Sequence, residues 1–328
     1  MCTSMAMKNG DFYFGRNMDM STGFGERVVM TPRNYPFSFR RAGLLKRHYA
    51  MIGMAAVAEG YPLYAEAANE KGLCAAGLNF PENAYYSPEE RDGKYNLSPF
   101  ELIPWLLGKC ASVEEARSLL AVTHIIAIPF RADIPLTPLH WHIADKSSSL
   151  VLEVMKDGLH IHENPVHVLT NNPPFDFQMT NLSQYLNLTV GTPENGFSQC
   201  CGVSPFGKGL GSFGLPGDFS PASRFVKAAY LLLHSSCDKD EDSQVSQFFH
   251  LLDAVAVPSG SILPDMEQGR RYYTIYSSCM NAEKGIYYYK TYFNNQLTAV
   301  CMMPEDYEEE DLKCFPLNGT QQIAWVNG

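Results

Sequence analysis

The 328-residue sequence predicts an α+β protein. A hairpin signal stands at the start of the chain, and short apolar or alternating runs fill residues 27–80, 123–163 and 271–302. Helical patterns at 99–120 and 220–257 lie between them. No repeat and no compositional shift marks a linker, so residues 1–328 are expected to form one domain. At 45% hydrophobic residues the chain can bury a sizeable core.

The hairpin signal is Asn9-Gly10, since a type I′ turn needs positive φ at both central residues. With those two as the loop, Lys8 faces Asp11 and Cys2 faces Asn17. Alternation along the strand then places Asp19 on the Cys2 face and turns Arg16 away, unless a bulge re-aims it. Residues 27–31, 48–57 and 73–80 read as strands, the last ending at Asn79. Residues 99–110 and 112–120 read as helices, the second opened by a Ser112/Glu115 capping box. Strands are expected again at 123–128, 139–144, 150–155 and 159–162, the last two joined at Asp157-Gly158. Asn171-Asn172-Pro173-Pro174 stops the strand before it.

Residues 191–221 form a Gly/Pro/Ser-rich loop without a P-loop pattern, and a loop this long is commonly functional. Ser220 as N-cap and Pro221 at N1 start a helix that runs to about residue 234 and carries Arg224 in its first turn. A second helix is expected over 243–257, with Phe248, Phe249, Leu251, Leu252 and Val255 buried. Strands at 271–280, 285–293 and 296–302 close the core, and the acidic run 305–311 reads as solvated surface.

The net charge of −10 and pI near 5.4 argue against nucleic acid and against an anionic membrane surface as partners. If the substrate is an anion, a few local arginines must attract it. No secretory signal or membrane-length apolar stretch is present, and the cysteines lack C-x-x-C spacing. A cytoplasmic protein is expected, with most of the other eight cysteines buried as reduced apolar residues. His160 and His162 share a strand face, but no accompanying ligands support a metal, and solvated residues are expected there.

The chemistry-bearing candidate is Cys2. Once Met1 is trimmed, as expected before a small second residue, Cys2 carries both a thiol and a free α-amine. The unperturbed amine titrates near ~7.7–8.0 and the thiol near ~8.5, so one residue can supply nucleophile and base. On the residues alone, an ordinary apolar cysteine on a first strand is an equal reading. Asn79 reads first as a strand-end turn residue, and Asn171 reads equally well as a turn residue before a Pro pair. Arg224, disfavoured at a helix N-terminus, reads first as half of a structural salt bridge.

A series of short segments changes that balance. They include Cys2-Thr3, Phe14-Gly15-Arg16-Asn17-Met18-Asp19, Thr31-Pro32-Arg33-Asn34-Tyr35, Asn69-Glu70-Lys71-Gly72-Leu73, Gly77-Leu78-Asn79-Phe80, Leu169-Thr170-Asn171-Asn172-Pro173, Ser223-Arg224-Phe225 and Tyr276-Ser277-Ser278-Cys279-Met280. In this order, over about residues 1–300, they resemble the choloylglycine hydrolase family of N-terminal-nucleophile hydrolases, which includes bile salt hydrolases and penicillin V acylases.

The resemblance implies an αββα sandwich, two mainly antiparallel sheets between helix layers. It implies attack by Cys2 on an amide, with Asp19 orienting the amine and Arg16 lowering the thiol pKa. Asn79 and a backbone N–H would hold the oxyanion, Asn171 would position the scissile amide, and Arg224 would hold a carboxylate or stabilise charge near Cys2. No metal or organic cofactor is implied, and activation would be loss of Met1 alone. Met18, Phe24, Phe130 and Ile134 match apolar residues that line the substrate pocket of relatives. Asn at position 79 favours glycine- or taurine-conjugated bile acids over penicillin V, and loop 191–221 points to a homotetramer. The rival of another class is a non-catalytic bile acid binding protein of this fold.

Overall fold

A computed structural model describes residues 1–263 and 269–327. The chain opens with the hairpin β1 (Cys2–Asn9) and β2 (Asp11–Met20), followed by β3 (Arg27–Thr31), β4 (Phe37–Phe39) and β5 (Gly43–Leu45). Next come β6 (Met51–Ala58), β7 (Tyr61–Asn69), β8 (Cys74–Asn79) and β9 (Tyr95–Leu97), then α1 (Leu102–Lys109) and α2 (Val113–Leu120). β10 (Thr123–Ile125), β11 (Leu139–Ala144), β12 (Ser149–Met155), β13 (Gly158–Glu163) and β14 (Val168–Leu169) precede α3 (Phe175–Asn181), α4 (Pro221–Leu233) and α5 (Glu241–Asp253). The chain ends with β15 (Tyr273–Asn281), β16 (Ile286–Thr291), β17 (Asn294–Cys301) and β18 (Lys313–Pro316).

Two antiparallel sheets dominate. One has six strands in the order β14-β1-β2-β15-β16-β17, the other eight in the order β13-β12-β11-β8-β7-β6-β3-β18. Helices α4 and α5 pack on the six-stranded sheet and α1 on the eight-stranded one, giving the αββα order of layers. Period-2 alternation produces this. Val28 and Met30 point into the core between the sheets, whereas Val29 between them points to the α1 side with Trp105 and Leu106. Both faces are thus buried in the central strands of the eight-stranded sheet, which is why β6, β8 and β12 read as nearly continuous apolar runs, whereas the edge strands β13 and β18 are more exposed.

The hairpin register differs from expectation by one residue. Asn9 pairs with Asp11, leaving Gly10 (φ 98°) at the tip, and Cys2 pairs with Met18 rather than Asn17. Gly10 alone takes positive φ, so the turn is not the two-residue I′ form. A one-residue slip moves every side chain to the other face. Arg16 therefore shares the Cys2 face with no bulge in the hairpin, and Asp19 lies on the opposite face, that of Thr3.

The cysteine expectation also needs correction. All nine are free, but of the eight others only Cys74, Cys110 and Cys279 are buried, while Cys200, Cys301 and Cys314 are exposed. Exposed strand and loop positions tolerate cysteine as they do any small residue. Loop 191–221 is irregular apart from a short 3-10 turn at Leu210–Ser212. Ser112 does cap α2, accepting from the Glu115 N–H at 3.3 Å, but Glu115 reaches the Ala111 N–H (2.8 Å). At Ser98 and Glu101 only the return half of such a box forms, Glu101 Oε2 accepting from the Ser98 N–H at 2.8 Å while the Ser98 hydroxyl has no partner. His160 and His162 stack as neighbours, 6.2 Å between ring centres, and each meets an aspartate. Among the described residues no helix is long and apolar enough to cross a membrane.

Candidate active site

The site forms where the first strand begins. Met1 continues the ladder: its amine donates to the Asp19 carbonyl and its carbonyl accepts from the Asp19 N–H, both at 2.9 Å. Cys2 follows, 4% exposed, flanked by β2 on one side and close to the chain that leaves β14. Its backbone nitrogen donates to Asn171 Oδ1 at 2.7 Å. That nitrogen is an amide in the present chain and would be the α-amine after loss of Met1.

Two arginines approach Cys2 from opposite faces of the sheet. Arg16 comes from the inter-sheet side and is fully buried. Its Nη2 donates to Met18 Sδ (3.7 Å), the same sulfur that lies 3.8 Å from Cys2 Sγ. Burial works against the Arg16 charge, but Cys2, Tyr276 and Glu66 more than offset this and hold the guanidinium protonated.

Arg224 comes from the helix side, and the Ser220 cap with Pro221 at N1 fixes the turn that carries it. Its Nη1 donates to the Cys2 carbonyl (2.6 Å) and to Thr3 Oγ1 (2.5 Å), and its Nη2 to Asn171 Oδ1 (2.8 Å). Burial lowers the Arg224 pKa, with Asp19 and Cys2 opposing.

Asp19 is fully buried beside this group. Oδ1 accepts from the Thr274 hydroxyl at 2.6 Å, and Oδ2 lies 3.9 Å from Arg224 Nη1 with no hydrogen-bond partner. An amine at this strand end is pushed toward its neutral form: burial lowers the Met1 ammonium pKa, opposed by Cys2 and Asp19. Asn171 Nδ2 donates to the Asn79 carbonyl at 2.7 Å, tying the end of β8 to Cys2 through one side chain.

All six candidates for chemistry, Cys2, Arg16, Asp19, Asn79, Asn171 and Arg224, thus belong to one connected group. The four apolar candidates do not behave alike. Met18 touches Cys2, and Phe24 packs on the same core. Phe130 instead meets Phe100 edge-on and Tyr61 at a tilt (5.3 and 5.8 Å between ring centres) beneath Arg40, and Ile134 closes a short turn with Arg131. Sequence reasoning missed Thr3, Thr274 and Glu66. Glu66 left a signal, a lone acid within the apolar run 61–68.

A family model described as linear amide C–N hydrolases, choloylglycine hydrolase family, matches residues 2–315. The chain is 46% identical to a bile salt hydrolase/transferase from Lactiplantibacillus plantarum and 40% identical to one from Clostridium perfringens, over all of both chains in each case. A mutant of the conjugated bile acid hydrolase from Clostridium perfringens superposes with TM-score 0.90 at 38% identity, covering 100% of both chains. A penicillin V acylase from Agrobacterium tumefaciens shares the fold, with TM-score 0.73 at 20% identity over 96% of this chain and 90% of its own. With this match over nearly its whole length, the chain belongs to the choloylglycine hydrolase family of linear amide C–N hydrolases.

Proposed function

We propose that this protein hydrolyses the amide of glycine- or taurine-conjugated bile acids, with Cys2 as both nucleophile and base once Met1 is gone. One observation carries the reading. The Cys2 backbone nitrogen is already held by Asn171 at 2.7 Å, with Arg224 on the Cys2 carbonyl and Asp19 beside that arginine. Names of full-length relatives at 40–46% identity supply the substrate class.

Cys2 Sγ attacks the amide carbonyl carbon while the thiol proton passes to the Cys2 amine. Charge gathers on the carbonyl oxygen, and Asn79 with a backbone N–H stabilises it. The intermediate collapses, the C–N bond breaks, and the ammonium hands its proton to the departing glycine or taurine nitrogen. Water then attacks the thioester, giving one proton to the amine. The bile acid leaves and the thiol is restored. Arg16 favours the thiolate through opposite charge, Asp19 with Arg224 fixes the amine end, and Asn171 aligns the strand end with the scissile bond. No cofactor enters these steps.

We further propose a cytoplasmic homotetramer; the exposed Phe197, Phe206 and Phe213 of the long loop support the assembly. Mature protein incubated with taurocholate should release taurine, and intact mass should lack Met1. Cys2→Ala should abolish release while unfolding normally. Release from penicillin V alone would move the substrate to the acylase side. Tight bile acid binding with no release would mark a binding protein.

A further inference from the structure

Between the two sheets, behind Arg16, lies a buried carboxyl group, its pKa raised by burial, with Arg16 and three hydroxyls opposing. Glu66 is fully buried. Its Oε1 accepts from Tyr287 (2.6 Å) and Ser278 (3.1 Å), its Oε2 accepts from Tyr276 (2.8 Å), and Oε2 lies 3.6 Å from Arg16 Nη1. The three hydroxyls come from the six-stranded sheet, whereas Glu66 belongs to the eight-stranded one.

A bulge puts it there. Met54 pairs with Glu66 and Ala55 with Tyr64, so Ala65 is the extra residue. Tyr64 faces the α1 side, and simple alternation would send Glu66 the same way. Instead Ala65 packs into the inter-sheet core and Glu66 reaches the strands of the facing sheet. Burying a carboxylate and a guanidinium costs several kcal/mol per ion before pairing. A bulge that aims one into the other is a device, not a packing accident.

The remaining Arg16 hydrogen bonds go to neutral acceptors, the carbonyls of Ala65 (3.2 Å) and Gly77 (2.7 Å) and the Met18 sulfur, and its Nε has no partner. Within 4 Å, Glu66 is the one carboxylate paired with Arg16 among the described residues. We infer that Glu66, held by Tyr276 and Tyr287, is the positioning residue of the reaction: it fixes the Arg16 guanidinium against the Cys2 face and tempers its pull on the thiolate. This rests on Cys2 being the attacking group. The charged and titratable groups facing the pair are Cys2 from β1, Tyr276 from β15 and Tyr287 from β16, with Asp19 and Arg224 across the strand.

Glu66→Gln keeps the shape and removes the charge. Arg16 then acts on the thiol without a counter-charge, so the acid limb of the kcat/KM profile for taurocholate should move down by about one pH unit. A loosened guanidinium should lower kcat about tenfold with KM changed less than about twofold. Tyr287→Phe, which keeps the charge but drops one hydrogen bond, should lower kcat by a smaller factor and leave the limb in place. It also covers the case in which Glu66→Gln fails to fold. A folded Glu66→Gln with an unmoved limb and normal kcat overturns the inference, as does Tyr287→Phe with wild-type kcat. Cys2→Ala is the control: if it still turns over, the nucleophile assignment has failed, and the Glu66 result is read apart from it.

Discussion

Arg224 offers the strongest test of how the site is held together. Replacing it by Met keeps much of the side-chain volume and removes the charge. The structure gives the losses directly: hydrogen bonds to the Cys2 carbonyl, Thr3 Oγ1 and Asn171 Oδ1, plus one from Nε to the Phe219 carbonyl at 3.0 Å. Summing charged hydrogen bonds at about 1.5–3 kcal/mol each would overshoot, because the Met side chain recovers burial. The better guide is the cost of breaking a buried ion pair, about 3–5 kcal/mol, since Asp19 stays buried with Oδ2 unpartnered. Urea unfolding of Arg224→Met should therefore show about 4 kcal/mol lost. Asp19→Asn in the same background removes the stranded charge, so the double variant should fall short of the summed single costs by about 1–2 kcal/mol. Strict additivity, or a loss under about 1 kcal/mol for Arg224→Met, would refute the coupling of these two residues.

Other outcomes follow from the same geometry. His142 is buried between Ser4 and Ser149 (2.8 Å each), and burial, aided by His167 and His140, lowers its pKa to about 3. Its folded pKa lies below the unfolded ~6.5, so this contribution is present above pH ~6.5 and fades as pH falls toward 3, about 5 kcal/mol in all. His142→Gln should flatten acid unfolding followed by circular dichroism. Gly15→Ala would set a Cβ 1.9 Å from the Ser278 carbonyl oxygen, and calorimetry should show a loss of about 3 kcal/mol or more. Replacing Phe197, Phe206 and Phe213 by Ser should shift sedimentation toward smaller species while leaving the unfolding midpoint of the protomer nearly unchanged.

Much of the fold was legible because burial on both faces writes itself as long apolar runs. Residues 73–80 and 139–144 were read almost to the residue. β7 was missed, since Pro62, two tyrosines and Glu66 break its apolar run. α3 was missed behind the prolines that precede it, and β18 because the acidic run before it dominated the window. The six residues proposed for chemistry were found by the order of short motifs. Their arrangement was not, because it turns on one residue of hairpin register. Asn9 promised a two-residue loop, while Gly10 alone makes the turn, and that difference exchanged the faces of Arg16 and Asp19. Glu66 escaped because a bulge cannot be counted from alternation.

The ladder at the chain's beginning bears on timing. With both of its backbone groups engaged by Asp19, Met1 is zipped into the sheet rather than left as a loose tail. An aminopeptidase must grip an extended, unpaired terminus, so it meets its easiest substrate while the nascent polypeptide is still emerging. On the proposed mechanism, a molecule that closed its sheet before losing Met1 would hold its sulfur beside a nitrogen that is still an amide.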